Sequence, residues 1–177
     1  MKRLTLLRHA KSGEDISAAR DFDRRLNAKG RRAARAVGRY LRDEQIGFDA
    51  TLASPARRVA ETVEEVAAGY GAPLAPDWQR RIYLASAAEL LELVQDAPPA
   101  ADRLLLVGHN PGLEDLVLML VPDGPARAAV AIKYPTASLA EMVLDVDCWA
   151  DVAAGRGRLV RFVRPRDIDA QLGPDDE

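Results

Sequence analysis

The chain has 177 residues, a length typical of one domain with its own buried core. It contains one cysteine and two histidines, which excludes an internal disulfide framework, cysteine-clustered metal sites and sequence-local metal motifs such as HExxH. The hydrophobic fraction is 48%, and no apolar stretch approaches the roughly 18 residues that a membrane span needs. We therefore expect one soluble, cytoplasmic domain over residues 1–177, with no metal, cofactor or membrane partner.

The net charge of −2 conceals a segregation of charge along the chain. Residues 1–42 hold 13 basic and 4 acidic residues, a net charge of +9, whereas residues 83–154 hold 3 basic and 11 acidic residues, a net charge of −8. A basic block indicates an anionic ligand, nucleic acid or a solvated helix face. The near-neutral total and the aromatic fraction of 5% argue against nucleic acid, so we expect a small anion.

The first part of the chain alternates apolar strands with amphipathic helices. Asn27 and Ser54 are suitable N-caps, and Pro55 suits the first position of a helix. The predicted elements are a strand at Arg3–Leu7, a functional loop at 8–25, a helix from Asn27 to about Arg42, a strand at Phe48–Ala53 and a helix from Ser54 to about Tyr70.

The second part begins with one more helix and strand and then becomes rich in strands. Ser86 and Glu89 fit a capping box. The predicted elements are a helix to Gln95, strands at Leu104–Val107, Ala129–Lys133, Ser138–Val146 and Arg158–Arg164, a helix at Leu113–Val121, a helical turn near Trp149 and a charged tail from Pro165 that is frayed at its end. Three strand-then-helix units followed by strands predict a three-layer α/β fold with a partly parallel sheet.

Three of the predicted strands are followed by residues that can take part in catalysis or bind an anion. Arg8 and His9 follow the first strand, Arg58 lies just beyond the second, and His109 follows the third. Ligands of such sheets bind beyond the carboxyl ends of the strands, so these side chains are expected to converge. A lone histidine is more often a packed or surface residue than a catalyst, but two histidines and two arginines at one edge are harder to explain as coincidence.

This set of residues suits a phosphoryl group. Arginine presents a planar fork of donors that matches phosphate oxygens and keeps its charge. A neutral imidazole can attack phosphorus, and neighbouring cations keep it neutral by disfavouring imidazolium. One histidine can therefore attack while the other donates hydrogen bonds to the oxygens on which charge develops.

Four segments together resemble the histidine phosphatase superfamily, and in particular its SixA-type phosphohistidine phosphatase branch. Each is a weak motif alone, but their order and spacing are specific. The segments are Leu6–Ser12, which contains Arg8-His9-Ala10, Asp23–Gly30, Ser54–Thr62 with the pattern S-P-x-x-R-x-x-x-T, and Val107–Gly112. The resemblance implies a phosphoglycerate mutase-like α/β/α sandwich with a mostly parallel sheet and one antiparallel strand.

The resemblance also implies roles for individual residues. His9 is expected to be the nucleophile that becomes phosphorylated, Arg8 and Arg58 to bind the phosphoryl group, and His109 to support the transition state. The neighbouring Arg57 competes with Arg58 for this role, and the spacing in the family favours Arg58. Further expected substrate contacts, which could equally be ordinary loop hydrogen-bonding residues, are Ser12, Arg24 and Asn110.

Two departures from the superfamily pattern bear on function. Ala10 replaces the glycine of the common R-H-G signature, and alanine adopts a positive φ less cheaply than glycine. The segment at 81–86 lacks the acidic residue that protonates the leaving alcohol in sugar-phosphate branches, and Glu89 is better explained as a cap. An alkoxide needs a general acid more than an imidazole does, so this gap favours a phosphohistidine substrate, although water or His109 could supply the proton.

The expected activity is therefore that of a metal-independent phosphatase with a phosphohistidine enzyme intermediate. Its partners would be a phosphorylated protein histidine or a small phosphorylated molecule, with inorganic phosphate as product. A phosphatase of small phosphate monoesters and a non-catalytic phosphate-binding module both remain open alternatives. The oligomeric state cannot be inferred from the sequence, because exposed apolar patches are a property of the folded surface.

Overall fold

The computed structural model describes residues 1–14 and 17–174, in which six strands form one sheet. The strands are β1 (Lys2–Arg8), β2 (Ala50–Ala53), β3 (Asp77–Trp78), β4 (Arg103–Gly108), β5 (Leu139–Leu144) and β6 (Gly157–Val163). Their order is β3-β2-β4-β1-β5-β6. The first four strands pair in parallel, whereas β5 is antiparallel to both β1 and β6. The prediction of a mostly parallel sheet with one antiparallel strand is confirmed.

Helices cover both faces of the sheet. They are α1 (Ala28–Asp43), α2 (Arg57–Tyr70), α3 (Ala87–Gln95), α4 (Gly112–Leu120), α5 (Pro125–Ile132) and α6 (Pro165–Ile168). Along β4, Leu105 and Val107 pack in the core formed with α1 and α2, and Leu104 and Leu106 pack in the core formed with α3 and α4. Because side chains of a strand alternate between faces, one buried strand serves both cores and creates the three predicted layers.

The close packing of α1 against α2 depends on glycine. A Cβ atom at Gly38 would lie 2.1 Å from the carbonyl oxygen of Val66, and one at Gly69 would lie 2.1 Å from that of Arg35. No side chain fits at such distances, so the two backbones can approach only with glycine at both positions. This contact fixes the direction of α2, whose first turn carries Arg58.

The predicted helix caps have mixed outcomes. Asn27 accepts a hydrogen bond from the backbone N–H of Gly30, and Ser86 and Glu89 form the predicted capping box. The prediction that Ser54 caps α2 is wrong. The N-cap is Ala56, which has no side chain able to accept a hydrogen bond, and Ser54 Oγ lies elsewhere, as described below.

The predicted strand at Ala129–Lys133 is also wrong, since these residues form the end of α5 and its C-cap. Pro125 stands at the first turn after Gly124, and the alanines that follow have the highest helix propensity. Only Val130 of this helix is buried. A short apolar run does not by itself distinguish a strand from a helix, and here the N-terminal proline and the alanines favoured the helix.

The prediction of fraying concerns the end of the tail, and residues 175–177 lie outside the described residues. Beyond β6 the chain forms α6 and a 3₁₀ turn at Ala170–Leu172, and both contact α1. Pro165 and Leu172 are buried there, and this burial opposes fraying. Three further 3₁₀ turns lie at Asp21–Asp23, Arg80–Ile82 and Trp149–Asp151, the last at the predicted helical turn. The described helices include none with the length and apolar character needed to cross a bilayer.

Candidate active site

The sheet register brings the two histidines together. Arg8 at the end of β1 pairs with Gly108 at the end of β4, so His9 and His109 leave adjacent parallel strands side by side. Their ring centroids are 5.4 Å apart. On the other side of β4, the last residue of β2 pairs with Val107, which places Ser54 at the same edge. The convergence expected from three strand ends is therefore present.

The ring of His9 is held in one tautomer. Its Nδ1 lies 2.7 Å from the carbonyl oxygen of Ala10, which can only accept, so Nδ1 carries the proton and Nε2 keeps a lone pair. Burial lowers the pKa of His9 to about 3, and the charges of Arg8 and Arg58 act in the same direction. The hydrogen bond to Ala10 opposes this shift without cancelling it. His9 is therefore a neutral imidazole at physiological pH with its Nε2 available to attack.

His109 is neutral as well, with only 3% of the residue exposed. Its Nε2 lies 2.9 Å from Ser54 Oγ, and its Nδ1 lies 3.3 Å from Nη2 of Arg58. Burial lowers the pKa of His109 to about 3, followed in importance by the positive charge of Arg58, while Asp21 acts in the opposite direction.

Arg58 is a buried cation in the first turn of α2. Its Nη1 donates to the backbone oxygen of Asp21 at 2.8 Å, and its Nη2 donates to Oδ2 of the same residue at 3.0 Å. The adjacent Arg57 lies outside the site, with its side chain half exposed and its Nε 3.3 Å from Glu61 Oε2. Of the two candidate arginines, Arg58 is thus the one that faces the histidines.

The other predicted contacts lie around this centre. Nη1 of Arg8 and Nδ2 of Asn110 both donate to the carbonyl oxygen of Tyr134, at 2.9 and 3.2 Å. Arg24 donates to Ser12 Oγ at 3.0 Å. Arg24 and Ser12 therefore bond to each other, while Arg8 and Asn110 share an anchor on the chain that leads into β5.

Two residues of the site were missed from the sequence, Asp21 and Tyr83. Oδ2 of Asp21 accepts a 2.6 Å hydrogen bond from the hydroxyl of Tyr83, and Oδ1 accepts one of 3.1 Å from Arg24. The ring of Tyr83 meets that of His109 edge to face at 5.3 Å. The hydrogen bond from Tyr83, followed by those from Arg24 and Arg58, lowers the pKa of Asp21 to about 2.

A carboxylate is thus present at the site, although the segment at 81–86 contains none. It comes from the stretch at 8–25, which was predicted as a functional loop on its length and polarity. That signal pointed to the loop but not to Asp21. Glu89 is exposed and bonded within its capping box, in agreement with the expectation for it.

Thr62, the threonine of the S-P-x-x-R-x-x-x-T pattern, has a structural role in the site. The N–H of Ala10 donates to Thr62 Oγ1 at 2.9 Å, and Thr62 donates to the carbonyl oxygen of Arg58 at 2.6 Å. The threonine therefore ties the chain after His9 to the first turn of α2.

Ala10 is not among the non-glycine residues with a positive φ, so the replacement of glycine causes no backbone strain.

In residues 1–14 and 17–174, no three His, Cys, Asp or Glu side chains are grouped so that they could hold a metal ion. The site consists instead of two neutral imidazoles, two guanidinium groups and one carboxylate. Such a set can bind an oxyanion through the arginines and attack its central atom through His9.

Comparison with known proteins assigns the family. The family model described as histidine phosphatase superfamily (branch 1) matches residues 4–79, a segment that includes His9 and Arg58. An uncharacterized protein of Mycobacterium tuberculosis (strain H37Rv), Rv1276c, is 34% identical over 164 residues, which cover 90% of this chain and 100% of the relative. The chain belongs to the histidine phosphatase superfamily.

Solved structures place it in the SixA-type branch of that superfamily. A candidate phosphohistidine phosphatase SixA from Nakamurella multipartitia is 28% identical, with a TM-score of 0.81 over 93% of this chain and 96% of that chain. A candidate SixA from Agrobacterium tumefaciens is 28% identical, with a TM-score of 0.78 over 93% of this chain and 98% of that chain. The predicted phosphoglycerate mutase-like fold and the predicted branch are both confirmed.

Proposed function

We propose that the protein is a metal-independent phosphatase that removes the phosphoryl group from a phosphohistidine of a signalling or phosphotransfer protein. The observation that carries the proposal is the state of His9. Its ring is neutral and buried, its Nδ1–H is engaged by Ala10 so that Nε2 keeps its lone pair, and its centroid lies 5.4 Å from that of His109. A nucleophile must be deprotonated and oriented before it attacks, and His9 meets both conditions without a general base.

The reaction takes two displacements at phosphorus. In the first, Nε2 of His9 forms a P–N bond while the P–N bond of the substrate breaks and its electron pair goes to the leaving imidazole, which takes up a proton. In the second, water attacks phospho-His9, the new P–N bond breaks, and inorganic phosphate leaves. Arg8 and Arg58 bind the phosphoryl oxygens, and His109 supports the charge that develops on them.

The groups near the site favour a leaving group that needs little acid catalysis. The pKa of Asp21 is about 2, so this carboxylate is ionised at neutral pH and has no proton to give. The hydroxyl of Tyr83 donates its hydrogen bond to Asp21, and burial raises the pKa of the phenol above its ordinary value, so Tyr83 keeps its proton. An imidazole leaves from a phosphoramidate bond more readily than an alkoxide leaves from an ester, so phosphohistidine is the better substrate for this site.

The surroundings of the site support an anionic substrate. Arg80 lies over the ring of Phe22 at 4.9 Å, and Phe22 packs edge to face against Tyr83 at 5.0 Å. Arg20 also lies over the ring of Phe22, at 6.0 Å, but is paired with Asp23. The exposed Arg80 adds positive potential near the site, which attracts anions before they contact it. The two similar structures described as candidate phosphohistidine phosphatases favour phosphohistidine as the anionic substrate.

The test is hydrolysis by the purified protein in the presence of a chelator, comparing a phosphohistidine peptide with a panel of sugar phosphates. We expect the peptide to be preferred and the His9→Ala variant to lose roughly four orders of magnitude or more of activity. A brief reaction with labelled substrate should leave an acid-labile phosphoryl label on the wild-type protein and none on the variant.

Each alternative gives a different result. A clear preference for sugar phosphates would identify a small-molecule phosphatase and overturn the leaving-group argument. Phosphate binding without turnover of any substrate would identify a non-catalytic binding module. Activity unchanged in His9→Ala would reject the proposed nucleophile. The cytoplasmic location expected from the sequence stays a prediction.

A further inference from the structure

The contacts of His109 define the position of its proton. A guanidinium group has only donors, so Nδ1 of His109, which lies 3.3 Å from Arg58 Nη2, must be an acceptor. The proton of the neutral ring is therefore on Nε2 and is donated to Ser54 Oγ at 2.9 Å. Ser54 is fully buried, and its Oγ also accepts from the N–H of Ala56 at 3.3 Å. The neutral ring thus presents a lone pair, not a proton, toward Arg58.

We propose that Ser54 is a positioning residue that holds His109 in this tautomer, and that His109 consequently takes up a proton when a phosphoryl group binds. The inference rests on the proposed function, because it assigns a protonation state to the phosphoryl pocket. Asp21 Oδ2 and His109 Nδ1 lie 3.0 and 3.3 Å from the same atom, Nη2 of Arg58. A phosphoryl oxygen that displaces the carboxylate from Nη2 would therefore approach the lone pair of Nδ1, and two acceptors repel each other. A proton on Nδ1 converts this contact into a charge-assisted hydrogen bond.

The charges around His109 are consistent with such a switch. Burial disfavours the imidazolium most, Arg58 and Arg8 disfavour it further, and Asp21 favours it. The rings of His9 and Tyr83, which pack against His109 from β1 and from the 80–82 turn, add no charge while both are neutral. When a dianion replaces the single negative charge of Asp21, the balance moves toward the imidazolium. Ser54 needs no rearrangement, since Nε2–H donates to it in both states, whereas Nη2 of Arg58 turns from Nδ1 to the bound anion.

Binding of tungstate, a dianion at pH 7.5, tests the proposal without any turnover. Calorimetric titrations in two buffers of different ionisation enthalpy measure the protons taken up per bound anion. We expect uptake of close to one proton by the wild-type protein and of close to none by His109→Gln, whose amide N–H can donate a hydrogen bond without taking up a proton. The His9→Ala variant is the matched control and should retain the uptake, since the proton goes to His109.

Substitution of Ser54 tests its positioning role. In Ser54→Ala the ring loses the partner of Nε2, so the other tautomer can form, and we expect proton uptake to fall to less than half and tungstate to bind roughly tenfold more weakly. Ser54→Thr keeps the hydroxyl and should restore the uptake. Full uptake in a folded Ser54→Ala variant would overturn the role of Ser54.

Nitrogen NMR of the wild-type protein keeps the proposal falsifiable even where the variants do not fold. The spectra should show His109 protonated on Nε2 alone in the free protein and on both nitrogens with tungstate bound. A ring that remains neutral in the complex would reject the inference. Proton uptake on tungstate binding without phosphohistidine hydrolysis would reject the proposed function and leave the inference standing. Hydrolysis without proton uptake would reject the inference and leave the proposed function standing.

Discussion

Both ends of the central sheet carry arginines, but their charges are balanced in different ways. Toward the amino end of β1, the buried Glu141 on β5 accepts hydrogen bonds from Arg3 at 2.8 Å and from Arg161 at 2.9 Å. Beside them, Asp49 accepts from Arg103 at 3.0 Å. These five residues, the amino-end cluster, lie on strands or directly before one. The sheet register therefore fixes each cation against its carboxylate.

At the carboxyl end of the same strands the counter-charge comes from outside the sheet. Arg58 is buried on α2, and its carboxylate partner Asp21 lies on a 3₁₀ turn with 44% of its side chain exposed. Under the proposed function a phosphoryl group would displace this carboxylate, and because Asp21 lies on a turn no strand would be disturbed. The residue types at the two ends of the sheet therefore do not distinguish a structural arginine–carboxylate pair from a functional one. The distinction lies in whether the counter-charge is part of the rigid sheet.

Substitution of the buried arginine should have the largest effect. We expect Arg58→Ala to lower kcat/KM by about 10²- to 10³-fold, because it removes a fixed donor for the charge that develops on the phosphoryl group. Arg57→Ala is the matched control and should change kcat/KM less than about threefold, since Arg57 bonds to Glu61 outside the site. Steady-state kinetics with a phosphohistidine peptide would measure both, and equal losses would contradict the assignment.

Acid should destabilise the protein through the two histidines at the carboxyl end of the sheet. The pKa of each histidine is lowered to about 3 in the folded state, against an ordinary value of 6.5, so between these values the unfolded chain binds more protons. The contribution is complete above pH 6.5 and is lost as the pH falls from 6.5 toward 3. Lowering the pH from 7.5 to 5.5 should cost roughly 3 kcal/mol for the two histidines, measured by urea denaturation. His109→Gln should show about half of this dependence, and an undiminished dependence would assign it elsewhere.

The amino-end cluster should respond in stability and not in activity. Glu141→Gln removes the charge that accepts hydrogen bonds from Arg3 and Arg161, and we expect the free energy of unfolding to fall by about 1–2 kcal/mol. The value of kcat/KM should stay within about twofold of the wild type. Thermal or urea unfolding and steady-state kinetics on the same sample separate the two effects. A large loss of activity would show that the two ends are coupled.

The central part of the site could be predicted from the sequence because its geometry is local. His9 and His109 directly follow apolar strands, and parallel strands end at one edge. Arg58 lies four residues after the next predicted strand exit, in the first turn of a helix. The strand–helix pattern predicted parallel strands with a shared carboxyl edge, which was enough to expect these side chains together. The order of the strands, which places β4 between β1 and β2, was not predicted.

The remaining parts depend on tertiary contacts that no local pattern encodes. Tyr83 and Asp21 are separated by 62 positions and meet only because a turn and a loop fold over the same edge. Ser54 was predicted as a helix cap since its position before Pro55 fits that role. In the fold its hydroxyl bonds to His109, because the helix starts later, at Arg57.

The smallest expected effect tests whether Asp21 is indeed displaceable. Asp21→Asn removes the ion pair with Arg58, so inorganic phosphate no longer has to displace a carboxylate. We therefore expect inorganic phosphate to inhibit this variant about three- to fivefold more strongly than the wild type. Asp23→Asn is the matched control, because Asp23 lies in the same turn but pairs with Arg20, and the inhibition constant should not change. Weaker inhibition in Asp21→Asn would mean that the carboxylate orders Arg58 for the ligand instead of competing with it. The counter-charge at the carboxyl end would then be as structural as that of Glu141 at the other end.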